Sequence, residues 1–315
     1  MAPARAASLW LSISASDPSL FPENPRRRHK IQTTLITHDT LPSLAKPGGH
    51  KFDHGHALVL SGGPGRTGAA RLAARGALRV GAGLVTLGVP PAAQLEVASQ
   101  ITAIMLARVR DAVALNRLLE DDRINALCIG PGLGLSEESQ SLVEAGLKSG
   151  RPCVLDADAL TLIARSAPLF SALHPGCVLT PHGGEFTRLF PDIAEILSAA
   201  PHAGPAFSKV DATRAAAARA GCTVLFKGPD TVIADPSGVA AIHAAAYDRA
   251  APWLATAGAG DVLAGFIAGL MARCFAPSAA AQAAAWLHVE CARAFGPGLI
   301  AEDLPEMVPL VLRSL

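Results

Sequence analysis

Short runs of apolar residues alternate with segments of helical periodicity along most of the chain from about residue 50. The apolar runs are rich in Val, Leu and Ile without polar alternation, which is typical of strands that are buried on both faces. This alternation predicts an α/β fold of three α/β/α layers with a mostly parallel central sheet. The predicted strands span residues 56–61, 84–89, 103–106, 126–130, 152–156, 177–180, 223–227 and 231–235, and the predicted helices span 69–80, 112–119, 137–148, 159–165, 184–190, 209–220, 261–271, 278–295 and 304–312.

Residues 1–45 lack this alternation and contain Pro-rich and Ser-rich patches and a basic run at 26–30. We therefore predict a flexible N-terminal tail over 1–45 and one domain over 46–315. The first fifteen residues contain no acid, which is typical of a targeting peptide, but Ser12 and Ser14 interrupt their short apolar centre. This interruption favours a loose tail or a misassigned start over a targeting peptide.

The composition narrows the function classes. Half of the residues are apolar and 17% are charged, which predicts a large core. A net charge of +1 and an aromatic content of 4% argue against a nucleic-acid-binding surface. Six cysteines occur without a C-x-x-C pair, so we expect reduced, buried thiols. No apolar run reaches the roughly 18 residues that a membrane helix needs, and we expect a cytoplasmic protein without membrane or nucleic-acid partners.

A glycine-rich turn leads into an apolar helix after residue 257. Gly258, Ala259 and Gly260 carry little or no side chain, so their backbone N–H groups can approach an anion at the start of this helix. Asp261 follows them directly. A carboxylate there stabilises a helix by about 0.3–1 kcal/mol, but beside a bound phosphate it can also deprotonate an attacking hydroxyl. The pattern fits a capped helix and a phosphoryl-transfer site equally well.

A second glycine-rich loop follows the first predicted strand of the domain. Gly63, Gly65 and Gly68 form G-x-G-x-x-G between a strand and a helix, as in dinucleotide-binding folds. Such folds also need an acid at the end of the next strand to hold the ribose, but that strand ends in Pro90-Pro91. The sequence therefore disfavours a Rossmann dehydrogenase and favours a loop under a phosphate or an amide group.

Further polar residues follow other predicted strands, at the sheet edge where α/β proteins bind ligands. Residues 130–134 contain three glycines, which fit either a tight turn or a close ligand approach. Asp158 could cap the helix after it. His182 is followed one helical turn later by Glu185, and we predict that this histidine faces the ligand edge. Lys227 ends a buried strand, so we expect its ammonium group to emerge where nucleotide phosphates would lie.

Together these motifs resemble the ADP/ATP-dependent NAD(P)H-hydrate dehydratase family, a branch of the ribokinase-like fold. The resemblance covers nearly everything from about His50 onward, and the motifs occur in the family's order, which makes the signal specific. The matching segments are 68–74 (GAARLAA), 81–85 (GAGLV), 129–134 (IGPGLG), 155–160 (LDADAL), 180–189 (TPHGGEFTRL), 227–231 (KGPDT), 260–265 (GDVLAG) and 298–304 (GLIAEDL).

The resemblance implies repair of nicotinamide cofactors in which water has added to the reduced ring. The S-form of hydrated NADH or NADPH is phosphorylated on its ring hydroxyl by ADP or ATP with Mg²⁺, and loss of phosphate restores the ring. The implied roles are a catalytic base (Asp261), an anion hole (Gly258, Ala259, Gly260), nucleotide contacts (Lys227, Gly228, Pro229, Asp230, Thr231, Gly260), contacts to the hydrated cofactor (Ala69, Gly132, His182, Asp261) and a water-mediated Mg²⁺ contact (Glu185).

The chain departs from the family pattern at Ala259, where the family usually has Thr. The loss of that hydroxyl removes one possible phosphate donor. A small-molecule kinase of the same fold, acting on a vitamin-precursor alcohol, is the first alternative, and a catalytically inactive nucleotide-binding regulator is the second. Relatives imply a homo-oligomer. Because 45 residues are too few for a further α/β domain, we expect a stand-alone dehydratase that relies on a separate epimerase.

Overall fold

A computed structural model describes residues 32–200 and 204–315. This part of the chain forms one ten-stranded sheet in the order β1-β10-β9-β8-β7-β6-β5-β2-β3-β4. All strand pairs are parallel except the two that β9 makes with β8 and β10. The strands are β1 (Thr33–Leu35), β2 (His56–Leu60), β3 (Leu84–Val89), β4 (Met105–Arg108), β5 (Ile124–Ile129), β6 (Cys153–Leu155), β7 (Cys177–Leu179), β8 (Thr223–Phe226), β9 (Asp230–Ala234) and β10 (Ala240–Ala244).

Helices cover both faces of the sheet, which confirms the predicted α/β/α layers. One apolar core joins one sheet face to α1, α10, α11 and α12, and the other joins the opposite face to α3, α4, α5, α7 and α9. The helices are α1 (Gly68–Arg79), α2 (Gln94–Ala98), α3 (Ala112–Leu118), α4 (Glu137–Lys148), α5 (Asp158–Ala164), α6 (Ala167–Ser171), α7 (Gly183–Leu189), α8 (Pro191–Ser198), α9 (Lys209–Ala220), α10 (Ala259–Ala272), α11 (Pro277–Phe295) and α12 (Asp303–Arg313).

The strand β2 shows why the central strands are apolar throughout. Successive side chains of a strand point to opposite faces, so Ala57 and Val59 enter one core while Leu58 and Leu60 enter the other. All four are at most 1% exposed. Neither face of β2 meets water, and a polar alternation would therefore bury polar groups at a cost.

Two glycines let α10 pack directly against α1. A Cβ atom at Gly265 would lie 2.0 Å from the carbonyl oxygen of Ala73, and one at Gly269 would lie 2.5 Å from that of Ala77. Each glycine disfavours the helix by about 1 kcal/mol relative to alanine, and the close backbone contact offsets that cost. The contact also fixes the position of α10, and with it the position of Asp261 at its first turn.

The folded body begins earlier than the boundary at residue 45 that the sequence predicted. Strand β1 pairs in parallel with β10, and Ile36 and Leu44 are buried in the core. A strand of three residues is too short to give a detectable apolar pattern. Residues 1–31, including the segment considered as a targeting peptide, lie outside the described residues.

Strands β8 and β9 form a hairpin inside the sheet, because β10 and β1 lie beyond it. The apolar side chains of α11 belong to the core. Five cysteines are buried and free, whereas Cys274 is exposed. Within the described ranges, no helix is long and apolar enough to cross a membrane.

Candidate active site

The chain reverses its direction of sheet building between β2 and β5, and the loops after these two strands lie against each other. From β2 the chain continues to β3 and β4 on one side, and from β5 it continues to β6, β7 and β8 on the other. A Cβ atom at Gly62 would lie 1.8 Å from the carbonyl oxygen of Gly132, and one at Gly132 would lie 3.5 Å from the Cβ of Ala69. Ligands of α/β sheets bind at such a switch point. The structure thus brings Ala69 and Gly132 together there.

The start of α10 provides free backbone donors. Gly258 precedes the helix with φ of +89°, and a Cβ atom there would lie 2.7 Å from Leu72, so the position requires glycine. Within residues 32–200 and 204–315, no carbonyl or side chain accepts a hydrogen bond from the N–H groups of Ala259, Gly260 and Asp261. Unpaired N–H groups and the helix dipole together favour an anion at this end.

His288 holds the same helix start from the core. Its ring lies in α11, 8% exposed, and its Nε2 donates to the carbonyl oxygen of Ala259 at 2.8 Å. Burial lowers the pKa of His288 to about 4, so the imidazole is neutral at pH 7. Nothing in the local sequence indicated this contact between His288 and the start of α10.

Asp261 is a half-buried carboxyl group among other charges. Burial is the largest cause that raises its pKa, and the negative charge of Asp156 adds to it. The positive charge of Lys227 acts in the opposite direction, and the resulting pKa is about 7. A general base is most effective when its pKa lies near the working pH, so this carboxylate is suited to accept a proton from a hydroxyl.

Lys227 is held by two carboxylates. Its Nζ lies 2.8 Å from Oδ1 of Asp156 and 3.7 Å from Oε2 of Glu185. Burial lowers the pKa of Lys227, but the charges of Asp156 and Glu185 outweigh this effect and raise it. The ammonium group therefore stays charged although its side chain is only 19% exposed. It also lies 3.5 Å from where a Cβ of Gly260 would be, next to the start of α10.

The ammonium group thus lies beside two carboxylates, a contact that the sequence reasoning did not identify. Asp156 is the residue that the sequence reasoning undervalued. It is 2% exposed and also accepts a hydrogen bond from Thr180 Oγ1 at 2.8 Å. An Asp directly after a buried strand was the available signal. Two carboxylates beside the lysine are the physical reason that its charge can be buried.

Asp158 supports a glycine loop and does not cap its helix. The N-cap position of α5 is Ala157, with φ of +47°, and Asp158 is the first helical residue. The Oδ2 atom of Asp158 accepts a hydrogen bond from the N–H group of Gly134 at 2.7 Å. This bond anchors the loop over 130–134, which contains Gly132, to the next strand connection.

His182 and Glu185 form the N-terminal cap of α7. The N–H group of His182 donates to Oε2 of Glu185 at 2.8 Å, and Nδ1 of His182 accepts from the N–H group of Gly184 at 3.0 Å. The Nε2 atom therefore carries the ring proton in the neutral imidazole. The His182 side chain is 57% exposed, and its Nε2 lies 3.5 Å from Oε1 of Glu185, so this carboxylate and a ligand could both accept the proton.

Glu185 can contribute to Mg²⁺ binding only in part. It is 6% exposed, and one of its oxygens is already used by the His182 backbone. In the described ranges, no group of three or more His, Cys, Asp or Glu side chains could hold a metal ion. Mg²⁺ is commonly held by substrate phosphates, waters and one or two carboxylates. The residues fit a metal that arrives on a phosphate and reaches Glu185 through water.

The turn between β8 and β9 contains the remaining nucleotide-site candidates and is tied together by Lys209. The Nζ atom of Lys209 lies 2.7 Å from the Asp230 carbonyl oxygen and 2.9 Å from Asp230 Oδ1. Thr231 Oγ1 donates to the carbonyl oxygen of Gly228 at 2.9 Å. Pro229 lies within this turn. Lys209 was missed because it is 21 residues away from its partner and begins an ordinary amphipathic helix.

A family model and a curated relative both match most of this chain. A family model described as NAD(P)H-hydrate dehydratase matches residues 57–305. A bifunctional NAD(P)H-hydrate repair enzyme of Moorella thermoacetica is 38% identical over 284 residues, which are 85% of this chain and 51% of the relative. The chain thus spans about half the length of the curated relatives that it matches.

Solved structures are also similar to this chain. An ADP/ATP-dependent NAD(P)H-hydrate dehydratase of Bacillus subtilis, co-crystallised with ATP and Mg²⁺, is 27% identical with a TM-score of 0.70, covering 89% of this chain and 98% of that one. A ribokinase-like superfamily protein of Enterococcus faecalis V583 is 22% identical with a TM-score of 0.74, covering 90% and 96%. The second shows the fold alone and confirms the ribokinase-like architecture. Because the family model matches most of its length, the chain belongs to the NAD(P)H-hydrate dehydratase family.

Proposed function

We propose that the protein dehydrates the S-form of hydrated NADH or NADPH at the expense of ADP or ATP. The observation that carries the proposal is Asp261, whose pKa is raised to about 7 beside unpaired backbone donors at the start of α10. A helix cap needs no such environment. Membership of the dehydratase family supports the same reaction.

In the first step, Asp261 takes the proton of the ring hydroxyl, and the hydroxyl oxygen attacks the terminal phosphorus of the nucleotide. The bond between that phosphorus and its bridging oxygen breaks, and ADP leaves when ATP is the donor. In the second step, the phosphate leaves the ring with its bonding electron pair. A proton leaves the neighbouring ring carbon, and the double bond is restored. Hydroxide is a poor leaving group, whereas phosphate is a good one.

The nucleotide is assigned to the side of the site that contains Lys227, Gly228, Pro229, Asp230 and Thr231. Its terminal phosphate accepts hydrogen bonds from the N–H groups at the start of α10. The buried charge of Lys227 beside this helix start offsets the charge that develops during transfer. Magnesium on the phosphates would neutralise further charge, with Glu185 holding it through water.

The hydrated cofactor is assigned to the other side, where Ala69 and Gly132 meet. His182 is proposed to donate its exposed Nε2–H to the same substrate. We assign the whole reaction to the folded unit over residues 32–315. The curated relatives are named as bifunctional repair enzymes, and we propose that epimerisation of the R-form is carried out by a separate domain or chain. A cytoplasmic homo-oligomer remains our proposal for the whole protein.

The test is to incubate the protein with hydrated NADH and either ATP or ADP. Recovery of absorbance at 340 nm with an equal amount of free phosphate supports the dehydratase. A stable phosphoester without recovery of absorbance would instead indicate a kinase of the same fold. Nucleotide binding without any turnover would indicate the regulator, for which Ala259 is the motivating residue.

A further inference from the structure

The loop that follows β2 is held from outside by one carboxylate. The Oε2 atom of Glu96, in α2, accepts a hydrogen bond from the N–H group of Gly65 at 2.8 Å, and its Oε1 accepts one from Thr67 Oγ1. These two bonds lower the pKa of Glu96, with the Thr67 bond as the larger cause. A charged carboxylate thus binds two donors of the G-x-G-x-x-G segment.

The local backbone directs both donors, the Gly65 N–H group and the Thr67 hydroxyl, towards Glu96. Thr67 is fully buried and is the N-cap residue of α1, yet its side chain makes no capping bond to that helix. Gly65 has φ of +74°, and this left-handed conformation accompanies the outward direction of its N–H group. In a dinucleotide fold these donors would face a phosphate. Here both donors are instead used by the Glu96 carboxylate.

The inner side of the same loop borders the proposed substrate pocket. A Cβ atom at Gly132 would lie 2.4 Å from the carbonyl oxygen of Arg66, so the backbone between the two Glu96 bonds touches the second glycine loop. Ala69 directly follows Gly68, the first residue of α1. Any outward movement of the loop would therefore widen the gap between Ala69 and Gly132.

We propose that Glu96 is a positioning residue for the hydrated-cofactor pocket, which locks the 63–68 loop against Gly132 through Gly65 and Thr67. The inference rests on the proposed function. Glu96 acts through the loop and touches no reacting atom.

The test compares Glu96→Ala, Glu96→Gln and the control Glu120→Ala in the full chain. Glu120 is exposed and follows α3, whereas Glu96 is half-buried in α2, so the control removes a carboxylate that makes no contact with the loop. For Glu96→Ala we expect KM for hydrated NADH to rise about tenfold, with kcat and KM for ATP within about twofold of wild type. Glu96→Gln keeps one acceptor oxygen, so its KM for hydrated NADH should lie between those of wild type and Glu96→Ala. The Kd of NADH, which is measured by nicotinamide fluorescence and needs no turnover, should rise in parallel with this KM.

A double variant separates positioning from general loosening. Because Thr67 acts only through Glu96, Thr67→Ala combined with Glu96→Ala should raise KM no further than Glu96→Ala alone. Equal changes in KM for ATP and for the hydrate, or an unchanged KM for the hydrate, would overturn the inference. If the wild type itself shows no dehydration, the proposed function fails instead, and the NADH Kd of the variants still decides the role of Glu96.

Discussion

The carboxyl group of Asp261 combines two properties that seldom occur together. It lies at a helix start, where a negative charge is stabilised, yet burial and the charge of Asp156 raise its pKa to about 7. The second effect is the larger, since the pKa lies above the ordinary value. A carboxylate in this condition accepts a proton more readily than an exposed one.

Substitution of Asp261 by Asn should separate chemistry from binding. The amide has nearly the same shape but cannot accept the hydroxyl proton, and a general base typically contributes about 10²–10⁴-fold. We expect the dehydration rate to fall at least about a hundredfold while the Kd of ATP, measured by calorimetry, changes little. Glu120→Gln, at an exposed position, is the control. A variant that retained more than about a hundredth of the rate would contradict the base role.

The charge of Asp156 should affect the pH dependence of kcat/KM. Only the ionised form of Asp261 acts as a base, so kcat/KM should rise with pH towards about 7 and then level. Asp156→Asn removes a negative charge that raises this pKa and leaves Lys227 free to lower it. We therefore expect the acidic limb to move to lower pH. An unchanged or upward-shifted limb would show that Asp156 does not set this pKa.

At the scale of elements, the position of the site depends on helix α10 lying against α1. Asp261 is in its first turn, and Gly265 and Gly269 follow at one-turn intervals on the contact side. The same helix therefore carries both the anion-binding end and the glycine contact that orients it. This pairing explains why two glycines occur in a helix that is otherwise entirely apolar after its first turn.

Gly265→Ala should destabilise the protein although alanine favours helices. The added Cβ would lie 2.0 Å from a backbone oxygen, and overpacking of this kind costs about 1–3 kcal/mol, which exceeds the gain of about 1 kcal/mol in helix propensity. We expect a lower Tm in calorimetry. Gly183→Ala is the matched control, because no atom lies within 4 Å of its added Cβ. A Tm equal to or above wild type for Gly265→Ala would contradict the packing argument.

The elements that could be predicted from sequence are those with a strong local pattern. Strands such as β2 are apolar at every position, and helix α4 begins after Ser136, whose hydroxyl caps it. Strand β10 was missed because its alanines and His243 do not form a typical strand pattern. Strand β1 was missed because it is short and gains its stability from pairing with β10.

At the scale of the whole molecule, the parallel sheet made part of the site predictable. Residues after β6, β7 and β8 meet at one edge because the strands are neighbours with the same direction, so Asp156, Glu185 and Lys227 could be grouped from their positions alone. The contacts of Glu96 and His288 could not, because they join residues 29 to 31 positions apart through loop and helix packing. Local sequence patterns contain no record of such contacts.

The burial of Asp261 should also lower the free energy of unfolding of the whole protein at high pH. An Asp whose pKa is raised on folding binds a proton more tightly in the folded state than in the unfolded state. Stability is therefore lost as pH rises from the ordinary value of 3.8 through the folded value of about 7. The substitution Asp261→Asn removes this loss, since the amide does not ionise. We expect the variant to be more stable than wild type at pH 8, with a Tm higher by about 2–4 °C.

The advantage should be much smaller at pH 4.5, where only about a quarter of the loss has developed. Thermal unfolding of both proteins at the two pH values measures the difference, and Glu120→Gln controls for the removal of an exposed charge. If Asp261→Asn were equally or less stable than wild type at pH 8, folding would not raise the pKa of Asp261. An inactive variant that is more stable only at high pH would show that folding energy is used to hold a base beside the anion hole.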